Sequence, residues 1–157
     1  MAGRRSAARR TVGTVGAPRQ TMNKKFKRTF QSLEPIYELT ERFFAREAID
    51  RAHLFPVSLA VEELFTNMVR YNADGRGDIL LSLAREDDRL VVTLTDFDAP
   101  PFDPTAAPDA ATDLPLAERR PGGLGLHLVR RMVEKVEYRQ AGRATTIVIT
   151  RSLARPG

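Results

Sequence analysis

Glu63 and Asn67 stand four residues apart in VEELFTNMVRYN, inside a stretch with helical apolar periodicity. A helix there sets the two side chains next to each other. The apolar stripe is Val57, Val61, Leu64, Met68 and Tyr71, and Ala60, Glu63, Asn67 and Arg70 form the row beside it. Such a row reads either as a solvated flank or as a site. Asn supports a helix less well than Glu, Lys or Gln, so its use at an exposed position needs a reason. One chemistry supplies it: the carboxylate accepts a proton while the neutral amide oxygen ligates a hard cation. Mg²⁺ takes only one or two protein ligands and draws the others from phosphates and water.

Two further places carry chemistry. TDFDAPPFDP puts Asp96 at the end of an apolar alternating run, where it reads as a turn residue or as an acceptor for an exocyclic amine. ERRPGGLGLHLVRRMVEK places Gly122, Gly123 and Gly125 at the mouth of an amphipathic segment. Helix N-termini present unpaired N–H groups and the positive end of the dipole, so this is phosphate-type chemistry. Glycine lets the backbone approach phosphate oxygens without an intervening side chain.

The elements that must hold these groups follow from pattern. KFKRTFQS (25–32) alternates and predicts an edge-like strand, and residues 34–50 predict a helix with Ile36, Leu39, Phe43 and Ile49 along one side. Pro56 suits the first turn of a second helix over 56–71, and NADGRGD is turn chemistry. Residues 79–96 predict a hairpin around Glu86–Asp87–Asp88, VEYRQA a penultimate strand and ATTIVITRSL (144–153) a closing one. Residues 100–121 hold six of the ten prolines, which predicts a long mobile loop of the kind that serves as a lid. The order β-α-α-β-β-lid-α-β-β predicts an α+β fold, a two-layer α/β sandwich whose mixed or antiparallel sheet has helices on one face.

This order removes the dinucleotide reading of GGLGL, which needs a G-x-G-x-x-G turn after the first strand of a βαβ unit. No G-K-[ST] of a Walker loop occurs either. With no Cys, thiolate chemistry is excluded, and His53 and His127 are the only imidazoles. No apolar run matches a membrane span and no signal-peptide pattern opens the chain, which predicts a cytoplasmic protein without a membrane partner.

The net charge of +5 is unevenly placed. Nine of the 25 basic residues and none of the 20 acidic ones fall in residues 1–33, leaving 16 bases against 20 acids, or −4, from Glu34 on. Residues 1–23 read as a disordered basic tail, with Met22 a candidate start, and residues 154–157 as a C-terminal tail. An acidic domain poor in exposed aromatics argues against direct nucleic-acid binding.

Together these motifs resemble the ATP-binding domain of the histidine-kinase, gyrase B and MutL superfamily (the Bergerat fold), in its small anti-sigma-factor kinase branch, over roughly residues 24–153. EELFTNMVRYN is similar to the family's Glu-x-x-x-Asn helix, and TDFDAPPFDP to its Asp-x-Gly box with a Pro-Phe-Asp-Pro tail. PGGLGLHLVRRMVEKVEY is similar to the glycine-rich box, and GRATT to Gly-x-Gly-Thr-Thr. The resemblance implies Glu63 as general base, Asn67 as Mg²⁺ ligand, and Asp96 and Thr145 as adenine contacts. It implies Gly123, Leu124, Gly125 and Leu126 as the phosphate-binding turn. Implied cofactors are ATP and Mg²⁺. The implied function is a serine/threonine kinase that phosphorylates an anti-anti-sigma factor and sequesters a sigma factor, with homodimerisation open. The alternative is a non-catalytic nucleotide-binding module that regulates by docking. Two family glycines are replaced, by Asp98 and by Ala144; a shifted box, with Asp98 as the adenine contact, is a further alternative.

Overall fold

Ile79, Leu81 and Leu83 recur at every second position, and Leu90, Val92 and Leu94 repeat the pattern, so each run can bury one face of a strand. The computed structural model describes residues 20–99 and 123–154, with backbone alone for 123–126. In it β1 (Gln20–Phe26), β2 (Ile79–Glu86), β3 (Arg89–Asp96), β4 (Lys135–Ala141) and β5 (Ala144–Ser152) form one antiparallel sheet in the order β1-β2-β3-β5-β4. Three helices, α1 (Leu33–Arg46), α2 (Leu54–Tyr71) and α3 (Gly123–Met132), complete the α+β architecture. The expected lid and both expected tails, apart from residues 20–23 and 154, lie outside the described residues.

Register lines up the buried face in rows across the sheet. Met22, Leu83, Val92, Ile149 and Val136 form one row; Leu81, Leu94, Ile147 and Tyr138 the next. The third row runs Phe26, Ile79, Asp96, Thr145, Gln140, so the apolar face turns polar at this end. Ile36, Leu39, Phe43 and Phe44 of α1, Val57, Val61, Leu64 and Met68 of α2, and Val129 and Val133 close over these rows in a single core. On the opposite face, Leu80, Val91 and Val148 take no part in that core. Helix α2 is central, in contact with α1, α3 and β3.

The first strand lies upstream of its expected place. Residues 25–32 alternate in sequence, but the pairing segment is Gln20–Phe26, with Gln20 opposite Arg85 and Asn23 opposite Ser82. An edge strand is held by its main chain, so the polar QTMN, assigned by composition to the tail, is no obstacle to pairing. Beyond Phe26 the chain turns: Thr29 N–H donates to Lys27 O at 2.8 Å and Ser32 Oγ donates to the same carbonyl at 2.6 Å. Phe30 is 49% exposed and begins a short 3₁₀ turn (Phe30–Ser32) instead of continuing the strand.

Helix α1 also ends earlier than its periodicity suggested. Ala48 takes a φ of 51°, Ala48 N–H donates to Ala45 O at 3.3 Å, and Ile49 N–H donates to Phe44 O at 3.0 Å. This is the Schellman arrangement, in which a residue just past the helix end is left-handed and the next apolar side chain packs back. Ile49 is buried through this cap and not through the helix. A left-handed alanine costs roughly 1–2 kcal/mol, part of which glycine's larger backbone entropy offsets. Ala48→Gly is therefore expected to raise the unfolding free energy by about 1 kcal/mol, measured by urea denaturation; an unchanged or lower midpoint would show that the cap is not strained.

Candidate active site

The polar row on α2 turns inward. Ala60 is buried, Glu63 half-buried, Asn67 only 4% exposed, and Arg70 exposed. This disposes of the solvated-flank reading for Asn67. Its Oδ1 is buried with no hydrogen-bond partner among the described residues, and an orphaned buried acceptor costs roughly 1–3 kcal/mol. A hard cation with few protein ligands is a fitting occupant for such an oxygen. Burial raises the Glu63 carboxyl above its ordinary value; the neighbouring Glu62 charge adds to this and Arg70 opposes it. Glu62 accepts the Tyr37 hydroxyl, and Tyr37 is pushed up to about 12 by burial and then by this bond. Glu62 is thus occupied, which leaves Glu63 the carboxylate beside Asn67. Tyr71, expected in the core stripe, is 42% exposed at the helix end.

Past Tyr71, Asn72 caps the helix and ties it to the end of β3. Its Nδ2 donates to Asp96 Oδ2 at 3.4 Å and, more closely, to the main-chain carbonyl of Asp98. At 1.5 Å per residue, Asn67 lies about 7 Å and Glu63 about 13 Å along the helix from this anchor.

Asp96 is 2% exposed and heavily bonded. Arg28 grips it with both forks, Nη1 to Oδ2 at 2.6 Å and Nη2 to Oδ1 at 2.7 Å, and Asp98 N–H donates to Oδ1 at 3.0 Å. Burial pushes the Asp96 carboxyl upward, but the Arg28 fork, the Asp98 N–H and the Asn72 amide together hold it below the ordinary carboxylate range. Thr145 stands opposite Asp96 in the ladder, buried, its hydroxyl donating to Gln140 Oε1 at 2.9 Å. Asp98 accepts from Arg76 N–H at 2.7 Å and from Arg143 Nε at 2.9 Å, and both contacts lower its carboxyl. Asp96 is enclosed, and Asp98 lies at the rim.

Gly123, Leu124, Gly125 and Leu126 form the first turn of α3, which packs against α2. The first N–H groups of that turn lack intrahelical acceptors. The structure thus gathers Glu63 and Asn67 on one helix and Asp96 with Thr145 at one end of the buried face, and it sets the glycine turn at the start of a helix that adjoins the first. Arg28 and Asn72 escaped the sequence reading. Arg28 sat in an apparent strand and counted with a basic tail, and Asn72 read as turn chemistry; nothing local marks either as a partner of Asp96.

The profile of the histidine kinase-like ATPase domain matches residues 26–151. A serine-protein kinase, RsbW, of Halalkalibacterium halodurans is 32% identical over 88 residues, which cover 54% of this chain and 54% of that protein. The chain thus matches about half the length of this curated relative. The fold is similar to that of the RsbU and RsbW domains of Rv1364c from Mycobacterium tuberculosis, at a TM-score of 0.61 and 15% identity, covering 87% of this chain and 33% of that one. It is also similar to a chain of the SiaB-SiaC complex from Pseudomonas aeruginosa, at a TM-score of 0.60 and 19% identity, covering 82% and 88%. No helix of the described residues is long and apolar enough to cross a membrane. The chain belongs to the histidine kinase-like ATPase domain family.

Proposed function

We propose that this protein binds Mg-ATP and phosphorylates a serine or threonine of an anti-anti-sigma factor, and that it holds a sigma factor when free of that antagonist. The observation that carries the reading is the buried, unpartnered Oδ1 of Asn67 one helical turn from a carboxylate raised by burial. A core helix does not keep an orphaned amide oxygen unless something else satisfies it. The similarity to a serine-protein kinase supports the same chemistry.

Each residue has a share of the work. Asn67 Oδ1 would ligate Mg²⁺, and the N–H groups of Gly123 to Leu126 would receive phosphate oxygens. Asp96 and Thr145 would receive the adenine edge. Bound Mg-ATP supplies the transferable phosphoryl group and the charge that neutralises it. Glu63 accepts the proton of the attacking hydroxyl and orients that oxygen for in-line transfer. Burial suits the carboxylate to this task, because a raised pKa makes its ionised form a stronger base. A module that regulates by docking alone would have no use for such a base. That second reading draws its support from the Arg28 grip on Asp96 and the Asp98 substitution.

Asn67→Ala is expected to remove the Mg²⁺-dependent part of ATP affinity. Contacts to charged groups are worth about 1.5–3 kcal/mol, so the loss should be about tenfold to hundredfold, read by calorimetry with and without Mg²⁺. Unchanged metal dependence would take Asn67 out of the site.

Glu63→Gln is expected to slow single-turnover phosphotransfer by roughly 10²–10⁴ while ATP affinity and partner docking persist. The wild-type rate should fall on acidification through a pKa above that of an ordinary glutamate, because only the ionised form accepts the proton and burial raises it. A rate unchanged in Glu63→Gln would defeat the mechanism, and no transfer in the wild type would leave the docking module.

A further inference from the structure

An ionised carboxylate offers about four lone-pair sites, and all four of Asp96 are taken. Oδ1 accepts from Arg28 Nη2 at 2.7 Å and Asp98 N–H at 3.0 Å, and Oδ2 from Arg28 Nη1 at 2.6 Å and Asn72 Nδ2 at 3.4 Å. An exocyclic amine cannot be accepted until one donor leaves. Two of the three donor groups are fixed. Asp98 N–H is main chain, and Asn72, held at the α2 cap, also donates to the Asp98 carbonyl. Arg28 is a long side chain on the short connection between β1 and α1.

The seat of Arg28 is built but incompletely satisfied. Its side chain is only 6% exposed, yet its Nε is buried without a partner among the described residues. Gly75 makes room for it: a Cβ there would lie 2.7 Å from Arg28 Cζ and 2.5 Å from Asn72 Nδ2. Withdrawal frees both Asp96 lone pairs that face the fork and returns Nε to water.

We propose that Arg28 is an intramolecular competitor for the base-recognition carboxylate: it occupies Asp96 in a closed form and withdraws when a 6-aminopurine takes its place. This rests on the nucleotide reading of the site given above. Binding through a fractionally populated open form lowers apparent affinity by the open fraction. Nucleotide binding is thereby coupled to the β1–α1 connection, which Arg28 otherwise pins to β3. Arg28 thus sets both the affinity for the amino group and the position of that connection.

The test compares ATP with purine riboside triphosphate, the same ring without the 6-amino group, by calorimetry on wild type, Arg28→Ala and Arg28→Lys. If the closed form holds about nine molecules in ten, Arg28→Ala tightens ATP about tenfold, and Arg28→Lys tightens it less, since ammonium keeps the charge without the fork. Purine riboside triphosphate should gain much less in either variant. The lysine variant guards against misfolding, because it leaves Asp96 with a cation. In the wild type, the Arg28 Nε–H resonance, assigned by its loss in Arg28→Lys, should shift and exchange faster with solvent at saturating ATP. An ATP affinity that is unchanged or weaker in both variants, or an Arg28 resonance unmoved by bound ATP, overturns the competitor while leaving the nucleotide reading intact. Absence of ATP binding in every form overturns the nucleotide reading and the competitor with it.

Discussion

A carboxylate set into the end of an apolar face must be surrounded by donors, and Asp96 imposes that condition on three parts of the fold. Register puts it between Ile79 and Thr145 in the end row of the buried face, where an unpaired charge would neutralise or unfold its surroundings. The donors come from the β1–α1 connection, the end of α2 and the loop after β3: Arg28, Asn72 and the Asp98 N–H. Satisfying one acid thus joins the edge strand, the central helix and the site loop. Because its partners depress the Asp96 pKa, this contribution to stability is present above the unfolded carboxylate range and is lost as pH falls through the folded value. Removing one member of such a buried pair typically costs about 3–5 kcal/mol.

Helix α2 meets the opposite demand, since it carries polarity into a core and leaves it unsatisfied. Leu64 and Phe65 are fully buried, and Asn67 sits two residues on with an orphaned oxygen. The same helix therefore seals the core and aims an acceptor away from water. Its C-terminal anchor at Asn72 fixes the distance between that acceptor and the Asp96 end. A site spread along one rigid helix keeps its spacing better than one carried by loops.

The sequence made the architecture legible because period and turn chemistry are local. The alternation of 79–96 gave the hairpin, and its turn falls at Asp87, with a φ of 53° that a short polar side chain tolerates. The four-residue spacing of Glu63 and Asn67 gave their adjacency. What stayed hidden depended on distant partners. The edge strand at Gln20 is set by its pairing with β2 and not by its own composition. The early end of α1 is a backbone cap at a residue, Ala48, that carries no stop signal. Arg28 reaches across 68 positions to Asp96, and no local pattern encodes such a contact.

The two replaced glycines make sense in the same terms. Asp98 stands where the sequence reading expected a glycine, and a free carboxylate there would need compensation. It is not free: the Arg76 N–H and the Arg143 guanidinium hold both of its oxygens, so its charge is already compensated at the rim. Arg143 is available because the β4–β5 turn places it next to Gly142, whose φ of 61° supplies the left-handed residue that a two-residue hairpin needs. With Gly142 in that role, Ala144 has only to continue a strand, as the partner of Ala141. The departures therefore leave the ladder that carries Thr145 opposite Asp96 intact. They also add an arginine–aspartate clasp between the β4–β5 turn and the loop after β3, and that clasp fixes the end of the site where Asp96 lies.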